Sequence, residues 1–307
     1  MALTPEYYGL RRLRAAQGYD RSKPTYPTPN DMPFEMAEVD GEQIRIARHP
    51  NQGKPKVMLL TPLPQSILAY APIWPILSER FELFAYDLPG FGRSTGGAQY
   101  MTFAAQGKFL KKVVDQFGLE NIHIVAPDIG MPSALFYTGS FDNTVESLII
   151  GDGPAIVPST NASIIRKLGF SKFWALIIGN VGSGALIKAG YQIGYTRYVP
   201  NEEETADYKA SYRGRMKTVL EWFRLYPESL ASVDPLLEKI DTPTLLFWGE
   251  QDQVLPVDNG ERLAKRMPNS RLHVLPGAGH FSYQDASQDF AQLIIDWIAS
   301  GTSTQSK

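Results

Sequence analysis

Three residues that can do chemistry follow predicted buried strands: Asp128, Asp252 and His280. Because the carboxyl ends of parallel strands meet at one edge of a sheet, we expect the three side chains to lie together there. A nucleophile, an acid and a histidine in this chain order form a triad, in which the histidine is the base and the acid orients it. The sequence therefore predicts that Asp128, Asp252 and His280 form a catalytic site.

The segment around Asp128 has the pattern of a sharp turn between a strand and a helix. Such a nucleophile elbow needs small residues two positions before and two positions after the nucleophile, because the strained turn leaves no room for larger side chains. Ala126 and Gly130 occupy these two positions. A purely structural interpretation stays open at this point, in which Asp128 only caps the helix that begins near Pro132.

The elements that must position these residues alternate between apolar runs and segments with helical spacing. The runs lack polar alternation, which is typical of parallel strands covered on both faces. Strands are predicted at 56–60, 81–86, 122–126, 145–150, 244–248 and 271–275, and helices around 70–79 and at 103–117, 131–138, 260–266 and 289–298. Residues 34–39 and 43–47 read as a hairpin that turns at Asp40-Gly41.

Residues 153–239 interrupt this alternation with helical patterns and no strand-like run. One helix is predicted to begin at Asn201, which can cap the acidic first turn that follows it. We therefore predict a core of the α/β class at 34–152 and 240–300, with a mostly parallel sheet flanked by helices. A helical cap is expected at 153–239, an irregular N-terminal arm at 1–33 and a polar tail at 301–307.

Composition excludes several classes of protein. With 30 Lys and Arg against 32 Asp and Glu, no charge excess is available to hold nucleic acid. The absence of Cys rules out disulfides and cysteine nucleophiles, and no His or carboxylate cluster has metal-ligand spacing, so no cofactor or metal is predicted. Residues 1–20 lack the apolar stretch of a signal peptide, and the apolar run 173–187 is too short to cross a bilayer. We interpret that run as buried helices or as the wall of a cleft, and we expect a cytoplasmic protein.

The chain resembles the α/β-hydrolase superfamily, in particular its branch of epoxide hydrolases and haloalkane dehalogenases, which uses an Asp nucleophile. The resemblance covers roughly residues 34–300 and is carried by the Asp128 elbow, by DLPGFGRS at 87–94, by GEQD at 249–252 and by GAGH at 277–280. It implies an α/β-hydrolase fold and a two-step reaction. Asp128 forms an alkyl ester, and His280 with Asp252 activates the water that hydrolyses it, while the N–H groups of Leu63 and Ile129 bind the oxyanion.

The residues that handle the leaving group depart from the family pattern. The oxyanion loop, usually His-Gly-x-Pro, reads Thr61-Pro62-Leu63-Pro64 here. Ile129 stands where haloalkane dehalogenases usually have a Trp that holds the halide. Phe223 stands where epoxide hydrolases have one of two cap tyrosines that protonate the opening oxygen. The cap contains other tyrosines, of which we expect Tyr212 or Tyr191 to supply this proton; the remaining ones are Tyr195, Tyr198 and Tyr208.

Several alternatives stay open. The expected partners are water and a small apolar electrophile, most readily an epoxide. A haloalkane, or an ester, lactone or biosynthetic substrate of the same site, is the second interpretation. A catalytically silent binding protein of the same fold is the third. Asp152, which follows the strand 145–150, is an alternative to Asp252 as the acid that orients His280. The sequence predicts no nucleic-acid partner and leaves the oligomeric state open.

Overall fold

Eight strands form one sheet in the computed structural model, which describes residues 5–27, 31–141, 144–159 and 182–302. The strands are β1 (Phe34–Val39), β2 (Glu42–His49), β3 (Lys56–Leu60), β4 (Glu82–Tyr86), β5 (Ile122–Pro127), β6 (Val145–Gly151), β7 (Thr244–Gly249) and β8 (Ser270–Leu275). Their order across the sheet is β1-β2-β4-β3-β5-β6-β7-β8. β3 to β8 run parallel, whereas β1 and β2 pair antiparallel at one end.

Helices pack on the sheet and above its carboxyl edge. They are α1 (Pro5–Gln17), α2 (Trp74–Ser78), α3 (Phe103–Phe117), α4 (Gly130–Ser140), α5 (Ser183–Gly194), α6 (Glu202–Ser211), α7 (Met216–Val233), α8 (Asp258–Arg266), α9 (Ser282–Asp285) and α10 (Ser287–Ala299). Short 3-10 turns occupy 67–70, 98–100 and 234–239. Local signals set the bounds of α3, because the Thr102 side chain accepts the Ala105 N–H and Gly118 ends the helix at a φ of 61°.

The hydrophobic core lies on both faces of the sheet. Along β3, Met58 and Leu60 belong to one buried cluster, while Val57 and Leu59 belong to the cluster on the opposite face. Burying each such side chain contributes about 1.5–3 kcal/mol. This two-sided burial explains the apolar runs without polar alternation, and it confirms the predicted α/β architecture.

Two local predictions are also confirmed. The β1–β2 hairpin turns at Asp40 and Gly41, whose φ angles of 51° and 80° suit this dipeptide. Asn201 caps α6, because its side chain accepts the Glu204 N–H while the Glu204 side chain accepts the Asn201 N–H. Both turns are therefore specified by residues adjacent in sequence.

The prediction of an irregular N-terminal arm is wrong for residues 5–17, which form α1. Only Leu10 of this helix is buried, so the sequence lacks the regular spacing of apolar residues that would predict a helix here. Tertiary contacts stabilise it instead, since the Arg14 guanidinium donates to the backbone carbonyls of Tyr191, Gln192 and Tyr195 at the end of α5. A basic side chain at a helix C-terminus satisfies carbonyls that lack a partner within the helix.

The segment between β6 and β7 contains α5, α6 and α7, which we call the cap helices. The part of it that the structure describes, 152–159 and 182–243, contains no strand. Residues 160–181 lie outside the described residues, and with them most of the apolar run 173–187. The proposed cap boundaries at 153 and 239 stay predictions. None of the helices described is long and apolar enough to cross a membrane.

His123 makes the stability of the fold depend on pH. It is buried in β5, and its Nδ1 lies 2.8 Å from Ser147 Oγ. Burial lowers the pKa of His123 to about 4, whereas a histidine in an unfolded chain titrates near about 6.5. As the pH falls below the higher value, the unfolded chain binds a proton that the folded chain does not bind. The folded state therefore loses stability down to about pH 4.

We expect His123→Gln to reduce the loss of stability between about pH 7 and pH 5 by about 1–2 kcal/mol. Urea unfolding at both pH values measures the free energy of unfolding, and its change between the two pH values is compared with that of the wild type. The hydrogen bond that the variant loses lowers the stability at both pH values, so it cancels in this difference. His49→Gln, at a partly exposed position, is the control and should keep the wild-type slope. An unchanged slope in His123→Gln would contradict a buried neutral histidine.

Candidate active site

Asp128 lies in the tight turn that joins β5 to α4, with a φ of 49°. This left-handed conformation is unfavourable for a residue with a side chain, so the surroundings must hold it. They do so closely: the Asp128 N–H donates to the Gly151 carbonyl at 3.0 Å. A Cβ on Gly130 would lie 2.9 Å from Leu60 Cβ, and one on Gly153 would lie 2.4 Å from the Asp128 carbonyl oxygen. The strand, turn and helix have the geometry of a nucleophile elbow.

The two carboxylate oxygens of Asp128 have different surroundings. The Leu63 N–H donates to Oδ2 at 2.6 Å. Oδ1 lies 3.7 Å from His280 Nε2, which is longer than a hydrogen bond. Ile129 follows as the N-cap residue of α4, where a helix has free N–H groups. One oxygen is thus fixed by the backbone, and the other faces the histidine.

Asp252 holds His280 in place. Its Oδ2 lies 2.9 Å from His280 Nδ1, and its Oδ1 accepts the N–H groups of Val254 and Leu255. Burial lowers the pKa of His280, but the carboxylates of Asp252 and Asp128 raise it by more, so the pKa is well above its usual range. The two acidic side chains thus favour the protonated form of His280.

Asp152, the alternative acid, makes its hydrogen bonds elsewhere. Its carboxylate accepts the Gly249 N–H at 2.9 Å, and it accepts the backbone N–H and the hydroxyl of Ser282. Burial, and then the charge of Asp252, raise the pKa of Asp152 well above its usual range. The geometry favours Asp252 as the partner of His280, while Asp152 ties the start of α9 to the end of β7.

Two of the cap helices, α5 and α7, line a pocket over Asp128 and His280 that has a cavity volume of about 80 Å³. The other described lining residues are almost all apolar: Leu63, Pro64, Pro154, Leu186, Gly190, Ile193, Trp222, Phe223, Tyr226, Val254, Leu255 and Phe281. No Lys or Arg is among them. Within the described ranges, no group of three or more acidic or histidine side chains could hold a metal ion. Such a pocket suits a neutral, apolar molecule.

The structure does not place Tyr212 or Tyr191 in the lining of this pocket. The Tyr212 hydroxyl donates to the Gln65 carbonyl at 2.7 Å, and the Tyr191 hydroxyl lies 3.2 Å from Thr205 Oγ1. Both hydroxyls therefore have partners away from Asp128. Tyr226 does line the pocket, and sequence reasoning missed it. The available signal was its spacing, since it lies three residues after Phe223 and so on the same helical face.

A sequence profile of the α/β-hydrolase fold matches residues 55–287. The chain belongs to the α/β-hydrolase fold family. The predicted family is therefore confirmed at the level of the superfamily, and the match includes Asp128, Asp252 and His280.

Relatives within this family are hydrolases of low sequence identity. A 2-hydroxy-6-oxononadienedioate/2-hydroxy-6-oxononatrienedioate hydrolase from Klebsiella pneumoniae is 22% identical over 240 residues, which are 73% of this chain and 79% of that protein. The uncharacterised hydrolase YugF from Bacillus subtilis is 21% identical over 274 residues, which are 87% and 98% of the two chains. The crystal structure of haloalkane dehalogenase DbeA from Bradyrhizobium elkani has a TM-score of 0.76 at 21% identity, covering 88% of this chain and 99% of its own. That structural likeness extends to the fold alone.

The pKa of His280 distinguishes its two possible acids. Asp252→Asn removes the carboxylate charge beside Nδ1, so the pKa of His280 should fall. Asp152→Asn, the matched control, changes a group whose raised pKa already favours the neutral form, and it should shift the pKa of His280 less. Titration of the His280 ring by NMR measures both variants. A larger fall in Asp152→Asn would identify Asp152 as the orienting acid.

Proposed function

We propose that the protein is a hydrolase that forms a covalent intermediate on Asp128 and acts on a small apolar epoxide. The observation that carries the proposal is the setting of the Asp128 carboxylate. It is buried at the floor of an apolar pocket, with one oxygen held by the Leu63 N–H and the other facing His280. The Asp252 contact to His280 supports the role of that histidine as a base.

A carboxylate nucleophile suits attack on a saturated carbon. Asp128 needs no base to activate it, because an ionised carboxylate has no proton to lose. Attack on an acyl group would give an anhydride, which is more reactive than the ester or amide that was cleaved. Attack on a saturated carbon gives an alkyl ester, which is a stable enough intermediate to be hydrolysed in a second step. In an epoxide, the new C–O bond to Oδ1 forms as a ring C–O bond breaks, and the ring oxygen receives the electron pair.

Tyr226 is the proposed proton donor for that oxygen. It is the one tyrosine among the described residues that line the pocket, and its hydroxyl lies 3.2 Å from Ser159 Oγ. Burial, and then the charge of Asp128, raise the pKa of Tyr226 above its usual value, so the phenol is neutral. A neutral phenol can protonate an alkoxide, which is more basic. Tyr226 thus takes the role that Tyr212 and Tyr191 were expected to have.

Ester formation prepares His280 for the second step. The alkylated Asp128 is no longer charged, so one of the two carboxylates that raise the pKa of His280 is lost and this pKa falls. The neutral ring can then remove a proton from a water molecule that attacks Cγ of the ester. Negative charge develops on Oδ2, next to the Leu63 N–H. Collapse of this intermediate breaks the bond between Cγ and the alkyl oxygen, which takes the proton from His280 and leaves as a hydroxyl of the diol. The oxygen of the water completes the Asp128 carboxylate, and the second proton of the water restores the phenol of Tyr226 through solvent.

Haloalkane dehalogenation is the second candidate, and Trp222 favours it. Trp222 lines the pocket, and in the part of the chain that the structure describes its indole N–H makes no hydrogen bond. A halide needs a hydrogen-bond donor of this kind and no proton. The dioate substrates named for the Klebsiella relative carry two carboxylates, and the absence of Lys and Arg among the described lining residues disfavours them here.

The covalent step can be tested by trapping. His280→Gln removes the base, so the alkyl-enzyme should form and persist, and mass spectrometry of the intact protein and its peptides should find it on Asp128. An epoxide adds its whole mass, whereas a haloalkane adds its alkyl group without the halogen. A mixed panel thus identifies the substrate class directly. Asp128→Ala in the same background is the control and should form no adduct. If neither epoxides nor haloalkanes gave an adduct on Asp128, the mechanism would be contradicted.

The proton donor can be tested by removing one hydroxyl. We expect Tyr226→Phe to lower epoxide turnover by about 10²-fold or more, because the alkoxide loses its acid, and to leave haloalkane turnover nearly unchanged. Tyr100→Phe, which lies outside the pocket, should keep full activity. If epoxide turnover fell only in Tyr191→Phe or Tyr212→Phe, that residue would be the proton donor in place of Tyr226.

A further inference from the structure

The loop that carries Leu63 offers one backbone donor to Asp128. This is the oxyanion loop, residues 61–64, and Gln65 directly follows it. Pro62 and Pro64 flank Leu63 and have no N–H group, so Leu63 is the donor between Thr61 and Gln65. Its N–H reaches Asp128 Oδ2 at 2.6 Å. The position of a single N–H group therefore depends on what holds the two ends of this loop.

The first end is tied to the sheet. The Thr61 hydroxyl donates to the Tyr86 carbonyl at 2.8 Å and accepts the Leu88 N–H at 3.0 Å. Both partners belong to β4 and the turn after it. These contacts fix the position at which the loop leaves β3. They lie before Leu63, so other contacts must hold the end of the loop at Gln65.

The second end is held by Gln65, whose side chain has no exposed surface. Its Nε2 lies 3.1 Å from the Tyr195 hydroxyl and 3.1 Å from Gln284 Oε1, and its Oε1 accepts the Tyr283 hydroxyl at 3.0 Å. The Tyr212 hydroxyl donates to its backbone carbonyl at 2.7 Å. The side-chain amide of Gln65 thus makes three hydrogen bonds, through both its nitrogen and its oxygen, and the backbone carbonyl makes a fourth.

The partners of Gln65 belong to the other parts of the site. Tyr195 directly follows α5, which lines the pocket, and Tyr283 and Gln284 lie in α9, which begins just after His280. Gln65 therefore connects the oxyanion loop to the cap and to the histidine segment. Buried networks of this kind fix geometry, because each unpaired member would cost about 1–3 kcal/mol.

We propose that Gln65 is a positioning residue that holds the Leu63 N–H at Asp128 Oδ2, and that it thereby controls the hydrolysis of the ester rather than its formation. The inference rests on the proposed function of Asp128. It assigns no contact with the substrate to Gln65, which acts through the loop.

Of the two chemical steps, only the hydrolysis of the ester gains from the Leu63 N–H. Alkylation removes the negative charge from Asp128, so a hydrogen bond to the carboxylate gives that step no advantage. Hydrolysis returns negative charge to Oδ2 in the tetrahedral intermediate, and a donor already held at 2.6 Å stabilises it. A displaced Leu63 therefore slows the second step selectively, whereas general loosening of the site slows both steps.

The test measures the two steps separately in Gln65→Leu. Rapid-quench mass spectrometry gives the rate of adduct formation and the rate of its loss, with styrene oxide, cyclohexene oxide and 1-bromobutane as probes. We expect ester hydrolysis to fall about 10- to 100-fold and alkylation to change by less than about 3-fold, so that the alkyl-enzyme accumulates. Gln65→Glu keeps the size and loses the Nε2 donors. Together with Tyr212→Phe, it provides the test if Gln65→Leu does not fold.

The matched control is Gln106→Leu in α3. Gln106 is also a buried amide, and its Nε2 donates to the carbonyls of Pro89 and Tyr100, outside the pocket. The Gln106→Leu variant should leave the ratio between the rates of adduct formation and adduct loss unchanged. Equal losses in both steps, or no loss, in the Gln65 variants would overturn the positioning role while the adduct itself stands. No adduct from any probe, in the wild type or in His280→Gln, would overturn the proposed function and this inference together.

Discussion

The left-handed backbone of Asp128 is the constraint on which the rest of the site depends. A conformation that costs about 1–3 kcal/mol must be held by its neighbours, and here they are packed too tightly to accept side chains. A Cβ on Gly151 would lie 1.8 Å from the Phe247 carbonyl oxygen, in addition to the close approaches at Gly130 and Gly153. The strands that converge on this turn are buried on both faces, so the apolar core stabilises a turn that would not form by itself.

Charge balance follows from where this turn places the carboxylate. Asp128 and Asp252 lie on opposite sides of the buried His280 ring, and a buried charge without a partner is costly. These acidic side chains raise the pKa of His280 and so favour a protonated ring that compensates their charge. In the reaction proposed above, esterification of Asp128 would leave Asp252 and His280 as the remaining pair. Burial is compatible with both states of that proposal, because the pKa of His280 falls when the charge of Asp128 is lost.

The sequence predicted the parts of the structure that local pattern specifies. The apolar strands, the small residues around Asp128 and the capping residues at Asn201 are short-range signals, and the structure contains them. Helix α1 was missed because its stability depends on hydrogen bonds from Arg14 to carbonyls about 180 residues away in the chain. The pocket position of Tyr226 and the contacts of Gln65 were missed for the same reason. The partner of a hydroxyl or amide becomes clear only when distant elements are packed together, and neither Tyr212 nor Tyr191 is among the described residues that line the pocket.

The contacts of Arg14 have a consequence for how the protein can be engineered. A shortened chain that begins after Gln17 would keep the sheet, the triad and every described pocket residue. It would lose the donors on the last carbonyls of α5, and that helix supplies Leu186, Gly190 and Ile193 to the pocket wall. Trimming α1 would therefore leave Asp128, Asp252 and His280 in place while it removes support from one wall of the pocket, so the shape of the pocket can be changed from a part of the chain that does not line it.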